Sequence, residues 1–147
     1  MVDTTNARLP GETLPPLPLP RFPAEQVALT IPLIDAAGLA LAIVPACDPL
    51  SLAKARRALR SPRLRRATIE ETRAALPDHD PAVLPPFGAP LGLRAIADRR
   101  LFTYNHVLWT ADGGRSTRIV DAGELLSTGG ALAADICDRT HHEEEQS

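Results

Sequence analysis

Aromatic side chains are scarce in this chain: one tryptophan, one tyrosine and three phenylalanines among 147 residues. Any core must therefore rest on Leu, Ala, Val and Ile. Recognition of single-stranded bases by stacking is limited too, because Phe87, Phe102, Tyr104 and Trp109 are nearly the whole supply. Cys47 and Cys137 are the two cysteines, far apart and outside any C-x-x-C pattern, which argues against a disulfide framework or a zinc site and for reduced thiols. No apolar run approaches the roughly 18 residues of a membrane helix, and the first residues lack the basic-then-apolar order of a signal peptide. The reading is a soluble, cytoplasmic protein with no membrane partner. The formal net charge of −2 excludes a global attraction to nucleic acid, so any such attraction must be local. Lysine occurs once, at Lys54. No nucleotide-binding glycine loop, metal constellation or Ser/His/Asp set stands out, so no cofactor and no metal are expected.

The length predicts one domain, large enough to bury a real core, and 44% hydrophobic residues suffice to fill it. Residues 1–23 carry Pro10, Pro15, Pro16, Pro18, Pro20 and Pro23 without periodicity and read as an extended arm. The folded domain is placed at 24–138. Residues 139–147 form a polar, acidic tail in which His141, His142 and Glu143 to Glu145 are expected to be solvated rather than metal-bound.

Within the domain, Val27 to Ile34 and Leu39 to Val44 read as a hairpin turning at Ala36-Ala37-Gly38, with Pro32 requiring an edge or a bulge. Asp48-Pro49 predicts a helix start, with Asp48 as N-cap and Leu52, Ala55 and Leu59 as its apolar stripe. Thr68-Ile69-Glu70-Glu71 is a capping box whose helix must stop before Pro77. Leu64 to Ala67 predicts a short strand between the helices. Strands are further expected at Leu93 to Ala97, His106 to Ala111 and Arg115 to Val120, with a turn at Asp112-Gly113. A short helix from Ala122 and a last strand near Ala133 to Ile136 complete an α+β domain.

Two stretches carry candidate chemistry. Val83-Leu84-Pro85-Pro86-Phe87-Gly88 sets a rigid loop, either a plain turn or a preformed pocket wall. Lys54, Arg56, Arg57, Arg60, Arg63, Arg65 and Arg66 are seven of sixteen basic residues with no acid among them. Such a cluster suits phosphate binding, and equally a solvated helix face.

The order of these segments resembles the YbaK/ProX family of aminoacyl-tRNA editing domains. The hairpin ends in LALAIVPA (Leu39 to Ala46); a helix, the basic RLRRA from Arg63 and AVLPPFG (Ala82 to Gly88) follow. Asp112-Gly113-Gly114-Arg115 is similar to the family's second glycine pair, Arg118 to Leu125 to its next strand and helix start, and Ala134-Asp135-Ile136 to its ending. The resemblance runs from Pro23 to Asp138 and implies a single α+β domain with a mixed, curved sheet and packed helices. Family members have an extra helix and strand near the N-terminus that this chain lacks.

The resemblance implies a deacylase that takes the aminoacyl end of mischarged tRNA, with aminoacyl-tRNA and a synthetase as partners. It places Leu29, Pro85, Pro86, Phe87, Gly88, Gly113, Gly114 and Arg115 around the substrate and the seven basic residues on the tRNA. The family sets a lysine in a pattern like E-Q-V-A-K-T. Here Glu25-Gln26-Val27-Ala28-Leu29-Thr30 puts Leu29 in that place, and the first loop glycine is Ala82. Leucine offers no donor to a developing oxyanion. The catalytic residues are therefore left open, with Arg115, Asp98 and His106 as groups to inspect. The rival is a catalytically impaired module that binds an aminoacyl or nucleotide-like ligand or a protein. Duplex DNA binding through the arginine run is a third reading, without a groove-reading helix to support it.

Overall fold

The run Leu39 to Val44 contains no polar residue, and such a strand is stable only with both of its faces covered. The computed structural model describes residues 12–14, 23–111 and 116–138 and provides that cover. Its strands are β1 (Glu12–Leu14), β2 (Ala28–Asp35), β3 (Gly38–Pro45), β4 (Arg65–Arg66), β5 (Arg94–Asp98), β6 (His106–Ala111), β7 (Ser116–Asp121) and β8 (Leu132–Ala134). Its helices are α1 (Leu52–Leu59), α2 (Ile69–Ala75) and α3 (Glu124–Ser127).

Five strands form a mixed sheet in the order β4-β2-β3-β5-β8, and three form a second in the order β1-β7-β6. The β3-β5 and β5-β8 pairs are parallel, the others antiparallel. A bridge between Val27 and Leu108 joins the two sheets. The single α+β domain with a mixed sheet is thus present. Glu12–Leu14, inside the proline-rich arm, pairs with Ser116–Asp121, so an extended segment there is held by a ladder.

Strand β3 is buried along both faces. Leu39, Leu41 and Ile43 join one cluster with Phe87, Leu101, Val107 and Trp109; Ala42 and Val44 join another with Leu33, Ala55, Leu64 and Ile136. The register sets large residues beside small ones: Leu41 opposite Ala95, Ile43 opposite Ala97, and Ala42 opposite Ile96. The hairpin turns at Ala36-Ala37, where the Asp35 carboxylate accepts from the Ala37 amide at 2.8 Å and Gly38 takes φ +115.

Two local expectations met different outcomes. The capping box is formed, with the Glu71 amide donating to Thr68 Oγ1 at 3.1 Å and the Thr68 amide to Glu71 Oε1 at 2.8 Å. Asp48, by contrast, does not cap a helix. Helix α1 begins at Leu52 with Ser51 as N-cap, because Pro49 and Ser51 are bonded through their backbones to Asp138 and Ile136. The Asp48 carboxylate is instead buried and takes Arg100 at 3.0 Å. At the other end of α1, Arg60 closes the helix in the left-handed region (φ 54), which costs a residue other than glycine about 1 kcal/mol or more.

Gly88 follows Phe87 into the interior. A Cβ built there would stand 2.7 Å from the Leu93 carbonyl oxygen and 2.9 Å from the Ala95 side chain. Gly88→Ala is expected to destabilise the domain by about 1 to 3 kcal/mol through overpacking, measured by urea unfolding. A wild-type midpoint would show that the loop relaxes freely.

Candidate functional site

Strand β4 pairs only with Leu33 and Ile34 of β2, so among the described residues the first half of β2 has an open outer edge. Which backbone groups face that edge follows from alternation along the strand. The Pro32 carbonyl points outward, because it accepts from the Ala67 amide at 3.0 Å; the Val27 carbonyl points inward, accepting from Ala46 at 2.8 Å. Ala28 and Thr30 share the parity of Pro32, and their peptide groups therefore face out. Pro32, lacking an N–H, sits where this edge is covered by the end of a two-residue strand.

A cleft of about 300 Å³ lies along the open edge, lined by Ala28, Leu29, Thr30 and Ile31 on one side and by Ala82, Val83 and Leu84 on the other, with Thr110 beyond. Its side chains are apolar apart from the two threonines. Leu29 does not fill it: the side chain is 47% exposed at the rim. The Thr30 hydroxyl is buried without a hydrogen-bond partner among the described residues.

The proline-glycine loop stands behind this wall. Leu84, Pro85, Pro86, Phe87 and Gly88 are all buried. Phe87 packs edge-on against Trp109, ring centroids 5.8 Å apart. The cleft is thus bounded by Ala82 to Leu84, and Phe87 supports it from the core. Gly113, Gly114 and Arg115 lie outside the described residues.

The other groups singled out from the sequence lie elsewhere. Asp98 is buried, its carboxylate accepting from the Arg100 amide at 3.1 Å and the Ile136 amide at 3.0 Å. That is a structural role, holding the C-terminal strand segment. His106 reaches Asp121 at 3.0 Å across the second sheet and is exposed. Cys47 and Cys137 form no disulfide. Desolvation and the adjacent Asp48 carboxylate push the Cys47 thiol up, which leaves little thiolate for nucleophilic attack.

The basic run divides into two sets. Lys54 is held by Asp135 at 3.1 Å and the Cys137 carbonyl at 2.7 Å, Arg56 donates to the Leu64 carbonyl at 2.8 Å, and Arg65 is bidentate with Glu71 at 2.9 and 2.7 Å. Arg65 holds the Glu71 carboxyl down at about 2. Arg57, Arg60, Arg63 and Arg66 are exposed and have no side-chain partner among the described residues.

The model of the aminoacyl-tRNA editing domain matches residues 18–126, most of the chain. The chain belongs to that family. Among solved structures, this editing domain is similar to one described as "a putative trans-editing enzyme for prolyl tRNA synthetase", at 30% identity and a TM-score of 0.69 over 79% of this chain and 73% of that one. A scaffold used for computational grafting of linear epitopes matches at 29% identity and a TM-score of 0.67, over 78% of this chain and 75% of that one. A hypothetical protein shares the fold at 20% identity, with a TM-score of 0.71 over 82% of this chain and 79% of that one. A comparison with curated proteins finds no sequence match. No helix among the described residues is long and apolar enough to cross a membrane.

At the far end of β2 from the cleft, Asp35 binds Arg94 through both oxygens, at 2.8 and 3.1 Å, and accepts from Ser61 Oγ at 2.6 Å. The Arg94 guanidinium, helped by Ser61, holds its carboxyl well below the usual range. A depressed carboxylate stabilises the fold above its unfolded value near 4, and that contribution fades as pH falls below it. Asp35→Asn is therefore expected to be less stable than wild type at pH 7, with the gap narrowing below about pH 4. Urea unfolding across that range checks this; a gap independent of pH would refute the assignment.

Proposed function

We propose that this editing domain is a trans-acting aminoacyl-tRNA deacylase, seating the aminoacyl end of mischarged tRNA in the cleft between β2 and Ala82 to Leu84. The observation that carries the reading is the open state of that cleft with Leu29 at its rim. Water adds to the ester carbonyl, the ribose oxygen leaves and takes a proton, and a free amino acid and uncharged tRNA result. An aminoacyl ester is reactive enough that positioning supplies part of the acceleration. The outward peptide groups of β2 provide that positioning, with the Thr30 N–H as the donor placed to meet a carbonyl oxygen. Pro85, Pro86, Phe87 and Gly88 keep the opposite wall rigid, and the glycine pair Gly113-Gly114 with Arg115 completes the substrate contacts in this reading.

Arg57, Arg60, Arg63 and Arg66 meet the tRNA phosphates, while Lys54, Arg56 and Arg65 are engaged within the domain and support that surface from inside. The reading implies work beside a synthetase that makes the mischarged product, in the cytoplasm, without a cofactor or metal. One observation favours a second reading: Leu29 puts no cation in the cleft, so the same pocket would serve a module that binds an aminoacyl or nucleotide-like ligand without turning it over.

Single-turnover deacylation of alanyl, seryl and cysteinyl esters of mischarged tRNA separates the two. The wild type is expected to hydrolyse at least one above the buffer rate, and Leu29→Lys to gain about tenfold or more, below the roughly 10² to 10³ of a fully aligned oxyanion donor. An inert wild type with an active Leu29→Lys variant would establish the binding module, and inertness of both would remove the editing site from this cleft.

A further inference from the structure

We propose that the groove at the hairpin end of the five-stranded sheet is a second RNA contact, seating a backbone phosphodiester about 20 Å from the cleft. It rests on the editing reading for the identity of the RNA. The separation follows from the six residue steps of β2 from Leu29 to Asp35, at roughly 3.3 Å each.

The groove has a volume of about 340 Å³ and is lined by Asp35, Arg60, Ser61, Arg63 and Arg94 among others. It is assembled from three places in the chain: the β2-β3 turn, the segment that closes α1, and the start of β5. Arg94 belongs to no basic run. It reaches the groove because β5 lies parallel to β3, its first residue opposite Ala40. Asp35 then fixes the geometry, clamping Arg94 and Ser61 together.

Arg60 and Arg63 are different in kind from that clamp. Both are exposed and neither has a side-chain partner among the described residues. Arg60 also holds φ 54, a conformation in which glycine would be unstrained, so an arginine there keeps a cation at the groove against the backbone preference. Three guanidinium groups face one carboxylate, leaving an excess of positive charge. Arginine forks match phosphate oxygens.

The charge pattern selects the ligand. A compact dianion would meet the Asp35 carboxylate at short range, whereas a diester carries one charge per phosphate. The groove is open rather than enclosed, and Arg57 and Arg66, each three positions along the chain from a groove arginine, are exposed as well. An RNA backbone fits this better than a free phosphate.

The test is binding of unacylated tRNA to wild type, Arg60→Gly, Arg63→Ala and Arg73→Ala, followed by fluorescence anisotropy from about 50 to 200 mM salt. Arg73 is an exposed arginine of α2 outside the groove lining. Arg60→Gly and Arg63→Ala are each expected to weaken binding several-fold and to lower the salt slope by about 1, more than Arg73→Ala does. Arg60→Gly keeps or raises the melting temperature, because glycine suits its backbone, so lost affinity there reports charge and not unfolding. Groove variants that bind no worse than Arg73→Ala would overturn the proposal. Competition by millimolar inorganic phosphate as effective as matched ionic strength of unlabelled tRNA would overturn it too, in favour of a small-anion site. Weakened binding by the groove variants in a protein that hydrolyses no ester would leave the groove standing and remove only the editing reaction.

Discussion

Burial of β3 on both faces is the constraint on which the other elements depend. A strand reading LALAIV has no polar face to give to water, so one cluster must form on each side. The register against β5 solves the packing with opposed sizes, leucine and isoleucine beside alanine on one face and the reverse on the other. Those pairs leave little freedom to slide, because a shift of one residue would set two large chains together and exchange the faces. The hairpin end and the opposite end of the sheet are thereby fixed at a constant separation. The cleft occupies one end and the arginine groove the other.

Elements whose determinants are local were legible in the sequence. The hairpin with its turn at Ala36 to Gly38 and the capping box at Thr68 and Glu71 each rest on residues within a few positions of one another; the turn expected at Asp112-Gly113 lies outside the described residues. The start of α1 was not, because Asp48 and Pro49 form a good local cap that is overridden by Arg100 and by Ile136 and Asp138, far along the chain. The proline-glycine stretch shows the same limit from another side. Its rigidity follows from two prolines, but whether Phe87 faces a ligand or the core depends on Trp109, which arrives with a later strand.

The site was legible as a set of segments and not as a surface. Family order pointed to Leu29 and to the loop, of which Ala82 to Leu84 line the cleft while Pro85 to Gly88 stand behind it. The outward peptide groups of β2 carry no sequence signal, since they exist only because β4 stops after two residues. Composition marked seven cations as one feature, and the structure divides them by partners that sequence spacing does not reveal. Arg94 completes one cationic surface from a distant strand, and no periodicity would have joined it to the run.

The packing of Trp109 also has an optical consequence. It is the chain's single tryptophan, 3% exposed, with the Phe87 ring at 5.8 Å and the Arg118 guanidinium 5.7 Å from its centroid. Its neighbour Thr110 lines the cleft. Tryptophan emission therefore comes from one buried indole behind the pocket wall, short in wavelength and sensitive to the nearby positive charge. The domain carries its own fluorescent reporter at that position, with one emitter and no competing tryptophan to resolve.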